Sequence, residues 1–160
     1  MTGEKDRYKT HEQLWKLEDG ELSTPKHDEL VLQLLYKRNA KKLMYMCYPG
    51  EFTNFDSYDE IEDSRIDIDS EVPITTKNDY IIGYIDIAIS YKLRDRPDRI
   101  LFVEVKPKIK SFGETLRQIK TYKTYRHFNY IIYSPDTAFR GAFETQGIPI
   151  ITPLDLGINM

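Results

Sequence analysis

The sequence predicts an α/β domain with a central mixed β-sheet flanked by helices. Two observations carry this. Three strand-like runs, at residues 66–74, 80–91 and 100–105, follow one another with only short turns between them. Helical and strand-like segments then alternate as far as Ile151. An antiparallel meander that feeds into crossover helices closes as a mixed sheet. At 160 residues the chain is one domain long, with a core expected over 24–153 and residues 1–22 peripheral to it.

Each element has a local cause. Ser23-Thr24-Pro25 is a helix start, with a capping residue just before a proline. Leu30, Val31, Leu34 and Leu35 recur at helical spacing and predict a helix over 26–40. The run Leu43-Met44-Tyr45-Met46-Cys47-Tyr48 fits an extension of that helix or a strand, and Pro49-Gly50 ends it. The first strand carries Ile66, Ile68, Val72 and Ile74 on one parity and Asp67, Asp69 and Glu71 on the other. Lys77-Asn78-Asp79 is a turn. The run YIIGYIDIAISY at 80–91 is apolar on both parities, as in a central strand covered on both faces. Residues 100–105 repeat that character. Ser111 and Glu114 form a capping box, S-x-x-E, for a helix reaching Arg126. Tyr130-Ile131-Ile132-Tyr133 is a short buried strand stopped by Ser134-Pro135. A helix over 136–146 ends at Gly147, and 148–151 is the last strand.

Composition excludes several classes. With 40% apolar and 31% charged residues, the chain is too balanced for wholesale disorder. It has no apolar run long enough to cross a bilayer. The start, MTGEKDRYKTHEQ, lacks the apolar core of a signal peptide and points to the cytoplasm of the producing cell. One cysteine, Cys47, excludes an internal disulfide and a zinc site built on cysteine pairs. His11, His27 and His127 are scattered, so any metal is expected on carboxylates. The net charge of -3 hides an asymmetry. Over 51–76 nine acids stand against Arg65 alone, and the segment near 50–65 reads as poorly ordered. Bases dominate 106–126: Lys106, Lys108, Lys110, Arg117, Lys120, Lys123 and Arg126 stand against Glu114 alone. With Tyr122 and Tyr125 interleaved, that stretch suits a phosphate backbone and stacked bases. It equally suits a solvated helix face.

The chemistry sits in the central strands. Asp86 lies inside IIGYIDIAI and Glu104 inside ILFVEV. Burying a carboxylate costs several kcal/mol unless it is paired or holds a cation. Two of them on strands joined by a short turn suggest a shared partner. Glu104 and Lys106 share a strand face, and a hairpin turn around Pro97 brings Asp86 beside Glu104. Two carboxylates suit Mg²⁺, which prefers oxygen ligands and keeps several waters. A lysine beside them can orient or deprotonate an attacking water, or steady charge developing on phosphorus. A buried Asp86–Lys106 ion pair is the structural alternative.

Asp86 followed by Glu104-Val105-Lys106 resembles the bipartite motif of the PD-(D/E)XK nuclease superfamily, with Ile85 where that family usually has proline. Glu71-Val72-Pro73-Ile74 and Ile82-Gly83-Tyr84-Ile85-Asp86 are similar to the E-x-P and G-x-I-D patterns of its RecB-like branch. Gln118-Ile119-Lys120-Thr121-Tyr122 resembles that branch's Q-x-x-x-Y helix, and Gly147-Ile148-Pro149-Ile150 fits the final strand. The resemblance spans residues 66–152. It implies a single restriction-endonuclease-like domain with an αβββαβ core. It further implies Mg²⁺ or Mn²⁺ held by Asp86, Glu104 and the Val105 carbonyl, with Lys106 as the catalytic lysine. Gln118 and Tyr122 would overlook the metal. Glu29 is the best match for a further ligand from the first helix, with His27, Glu12 and Glu71 as competitors. DNA contacts would fall to Lys108, Lys110, Lys120, Lys123 and Arg126.

The function implied is metal-dependent hydrolysis of DNA phosphodiesters. The rival from another class is a non-catalytic nucleic-acid-binding or assembly protein that keeps the fold. Spanning a duplex or a junction with so short a chain would be easier for a homodimer.

Overall fold

Helix α1 (Pro25–Leu35) opens the described part of the chain, which in this computed structural model is residues 25–158. The Ser23-Thr24 start, residues 1–22 and Glu12 lie outside it. Helix α2 (Lys37–Cys47) follows after a break at Tyr36, whose backbone is extended at φ −76 and ψ 127. The single helix expected over 26–40 is therefore two. Leu30 and Leu34 from α1, and Ala40, Leu43 and Met44 from α2, all enter one core, and the break lets both helices face it. The ambiguous 43–48 run is helical through Cys47.

The acidic segment is better anchored than its composition suggests. It folds into short 3-10 turns at Pro49–Phe52, Tyr58–Glu60 and Asp63–Arg65, with Phe52 and Ile61 buried. Lys41 donates to the Ile61 carbonyl at 2.9 Å and pairs with Asp63 at 2.8 Å. Glu51 bridges Arg96 at 3.1 Å and Arg99 at 2.6 Å. The hydrogen bond from Arg99 holds the Glu51 carboxyl below the usual range. Local repulsion among these acids is relieved by bases distant in sequence.

Strands β1 (Ile66–Thr75), β2 (Ile81–Tyr91), β3 (Arg99–Val105), β4 (Asn129–Tyr133) and β5 (Ile150–Ile151) form one sheet in that spatial order. The pairs β1–β2 and β2–β3 are antiparallel, whereas β3–β4 and β4–β5 are parallel. Helix α3 (Phe112–Tyr125) makes the first parallel crossover and α4 (Arg140–Thr145) the second. The Ser111 hydroxyl accepts from the Glu114 N–H at 3.1 Å, the cap the sequence predicts. Helix α4 is shorter than the expected 136–146. The Asp136 carboxylate accepts from the Ile109 and Ala138 N–H groups, both at 3.0 Å, and holds the first residues as a turn. Gly147 ends the helix at φ 78. Among the described residues no helix is long and apolar enough to cross a membrane.

The sheet has a core on each face. Ile87, Ile89, Leu101, Val103, Ile131 and Tyr133 pack under α1 and α2. Ala88, Phe102, Tyr130, Ile132 and Ile150 pack with Ile119, Tyr122 and Phe143 of α3 and α4. Strands β1 and β2 do not keep one face throughout. Ile66 and Ile68 belong to the first core, but Val72 and Ile74 to the second. In β2, Ile87 belongs to the first and Ile85 to the second. The same-face expectation for Ile66, Ile68, Val72 and Ile74 is thus corrected. The exchange falls at Glu71 and Asp86, which lie between the paired positions Ser70↔Ile87 and Val72↔Ile85. Glu71 takes the left-handed φ of 53, uncommon for a residue with a side chain. A sharp turn of the two-strand ribbon there sends its far half over α3.

Candidate active site

The exchange of faces coincides with the end of the pairing between β2 and β3. Their register runs from Tyr91↔Arg99 to Ile87↔Val103 and stops. Continued one step, that register would oppose Asp86 and Glu104. The Val105 N–H donates instead to Asp86 Oδ2 at 2.8 Å, so a side-chain carboxylate occupies a place that a main-chain carbonyl would fill in a continuing ladder. On the other side of β3, the Lys106 N–H donates to the Tyr133 carbonyl at 3.1 Å and fixes the strand end against β4.

Glu104 is 2% exposed, and Lys106 Nζ stands 3.7 Å from its Oε2. From the opposite layer, His27 Nε2 on α1 comes within 3.5 Å of Asp86 Oδ1. The His27 and Asp86 side chains are 17% and 15% exposed, so solvent reaches the corner only at its rim. The structure thus pairs His27 with Asp86 and Lys106 with Glu104, and the Val105 N–H bond to Asp86 ties β3 to the first pair. Glu29, the sequence's first choice from α1, is exposed. His27 lies three and seven residues before Leu30 and Leu34, on the stripe that α1 buries. Glu71 falls opposite Asp86 in register but is exposed at its left-handed backbone position.

Gln118 and Tyr122 are joined to each other. The Gln118 amide donates to the Tyr122 hydroxyl at 3.1 Å. The Tyr122 ring is buried and lies directly against Gly83 of β2, three residues before Asp86. Only a residue without a Cβ admits that approach. The basic residues divide. Lys108, Lys110, Lys120 and Lys123 are exposed. Arg126 is half-buried, its guanidinium 5.9 Å from the Phe102 ring and 5.6 Å from Phe128.

Asp136 is a contributor that the sequence reading passed over. Its bond to the Ile109 N–H ties the loop carrying Lys108 and Lys110 to the loop after β4. The available signal was Ser134-Pro135-Asp136, a turn signature. Its two N–H donors, Ala138 first and Ile109 second, hold its carboxyl below the usual range. A depressed carboxyl lends stability above its unfolded pKa and loses it as pH falls through the folded one. Asp136→Asn is therefore expected to lower the melting temperature near pH 7 by a few degrees, the equivalent of about 1 kcal/mol. Thermal melts from pH 7 down to pH 2 should show that gap closing below about pH 4. A gap that stays constant to pH 2 would show that the charge contributes nothing.

No protein-family model, curated protein or solved structure matches this chain. The site therefore stands on its own donor chemistry. Among the described residues, no three His, Cys, Asp or Glu side chains gather as a group able to hold a metal ion. Mg²⁺ does not require three, because it keeps several waters and is commonly bound through one or two carboxylates. Asp86 and the almost fully buried Glu104, one step beyond the last β2–β3 pair, are two carboxylates of the kind that need calls for.

Proposed function

We propose that the chain is a metal-dependent nuclease, hydrolysing DNA phosphodiester bonds on a restriction-endonuclease-like domain. One observation carries this reading. Asp86 and Glu104 lie one step beyond the last β2–β3 pair, Ile87↔Val103, with the Val105 N–H donating to Asp86 and the Lys106 ammonium 3.7 Å from Glu104. Asp86, Glu104 and the Val105 carbonyl, with His27 at the rim, are the groups that would hold Mg²⁺ or Mn²⁺. When bound, such a cation makes water a nucleophile near neutral pH and neutralises phosphoryl charge.

The chain's own groups do the rest. Val105 N–H fixes one Asp86 oxygen and leaves Oδ1 turned toward the His27 side. Glu104 steadies the Lys106 ammonium, which meets the negative charge that builds on the phosphoryl oxygens as water adds and the 3′-oxygen leaves. The Gln118–Tyr122 pair braces β2 just before Asp86. Exposed Lys108, Lys110, Lys120 and Lys123 supply phosphate contacts.

The test is incubation of the full chain with labelled linear, circular, single-stranded and branched DNA in Mg²⁺, Mn²⁺ or EDTA. Cleavage with either cation and none in EDTA is the expected result. Intact substrates under every condition would overturn the reading.

A further inference from the structure

The β1–β2 turn and the last turn of α3 enclose a cleft of about 670 Å³, lined by residues 75–78 and 124–127. It is separate from the carboxylate corner. None of its lining residues belongs to that corner. The lining includes Lys77, Arg126 and His127 and no acidic side chain. Asp79 belongs to the same turn but is not part of the lining.

Both walls are held in place. Arg126 rests on Phe102 and Phe128, so its charge is fixed at the cleft rather than carried on a free stem. Opposite it, the Thr76 hydroxyl accepts from the Asn78 and Tyr80 N–H groups, at 3.3 Å and 3.2 Å. The Thr76 N–H donates to the Tyr80 carbonyl at 2.8 Å. Large apolar side chains are nevertheless left open here. Tyr125, in the lining, is 43% exposed, and Tyr80, in the turn, is 70% exposed. Ile81 and Ile82 continue that exposed surface along β2.

A held guanidinium, an exposed ammonium, hydroxyls and an open aromatic face, with no acid among them, complement a polymer that alternates anions with flat apolar rings. A duplex stacks its bases away and would use only the charge. We propose that this cleft binds single-stranded nucleic acid, with a phosphate against Lys77 and Arg126 and a base stacked on Tyr125. The proposal rests on the nuclease reading for the class of its occupant and gives that reading a substrate, an unpaired strand running along α3 from the carboxylate corner.

The test measures fluorescence anisotropy of the full chain in EDTA, where nothing is cleaved. The probes are a labelled twenty-nucleotide oligothymidylate, a duplex of equal length, and inorganic polyphosphate as competitor. The oligothymidylate should bind more tightly than the duplex. Tyr125→Ala should weaken it about tenfold, within the range for losing one stacked base. Lys77→Ala should flatten the salt dependence by about 0.7 of a log–log unit, one lost phosphate contact on a single strand. A preference for the duplex overturns the proposal, as does unchanged oligothymidylate affinity in both variants. Competition by polyphosphate that is as strong as unlabelled oligothymidylate, with no effect of Tyr125→Ala, reduces the cleft to charge alone and also overturns it. Hydrolysis of bis(p-nitrophenyl) phosphate by the wild-type chain with Mn²⁺ reports on the nuclease reading separately, since that diester is too small to span both places.

Discussion

Asp86→Asn, Glu104→Gln and Lys106→Ala are each expected to reduce DNA hydrolysis by about a thousandfold or more, the scale for removing a group that acts on transition-state charge. The three losses should be distinguishable. Asp86→Asn keeps an oxygen that can accept from the Val105 N–H, so the strand end should hold while cation affinity falls. Glu104→Gln keeps the volume of a side chain that is 2% exposed, and removes the charge beside Lys106. It should also weaken Mg²⁺ or Mn²⁺ binding. Lys106→Ala should leave cation binding in place, because it removes a positive charge and no ligand. Calorimetric titration with Mn²⁺ and thermal melts on the same samples check all three. Unchanged cation affinity in Asp86→Asn would exclude that residue as a ligand. The acid variants should remain folded in EDTA. If both instead unfold, the carboxylates serve the fold through a buried ion pair.

These residues were legible because a strand advertises what it buries. An acid with apolar neighbours on both sides along the chain contradicts its surroundings, and Asp86 and Glu104 both do so. The strand positions, the order of elements and the Ser111 cap follow from equally local signals. What stayed hidden is set by partners far along the chain. Lys41 and Asp63, or Glu51 and Arg99, meet only after folding, so the acidic segment reads as loose. The turn that shortens α4 depends on the Ile109 N–H, which belongs to another loop. That His27 rather than Glu29 turns toward Asp86 was within reach, because the helical stripe through Leu30 and Leu34 passes through 27 and not 29. The change of face at Glu71 and Asp86 was not. Alternation assigns residues to the sides of a flat ribbon, and a left-handed residue inside β1 exchanges those sides without altering the apolar pattern. The end of the β2–β3 ladder beside the two carboxylates is therefore a property of the backbone, while their presence is a property of the sequence.

Gly83→Ala is expected to destabilise the fold by about 3 kcal/mol, the upper part of the range for overfilling a packed site, and to lower the melting temperature by about 6–12 °C. A Cβ at position 83 would collide with the Tyr122 hydroxyl and stand 2.7 Å from Cζ and 2.8 Å from Cε1. Those separations are well inside van der Waals contact, and a tyrosine ring cannot bend away from them. Tyr122 is 5% exposed, packed in a core with Ile74, Ile85 and Ile119, and its hydroxyl takes the Gln118 amide. Relief requires either the ring to leave that core or β2 to lift from α3. Lifting β2 moves Asp86 as well, three residues on in the same strand. The variant should therefore lose DNA hydrolysis beyond its loss of stability at a temperature where it remains folded. Replacing the ring separates the causes. In a Tyr122→Leu background the space opposite position 83 is open, and Gly83→Ala should then cost under about 1 kcal/mol. The double-mutant cycle should give a coupling of about 2 kcal/mol between positions 83 and 122, within the range for residues in direct contact. Equal costs in both backgrounds would mean that position 83 needs glycine for its own backbone, and that Tyr122 is not what holds β2 in place beneath Asp86.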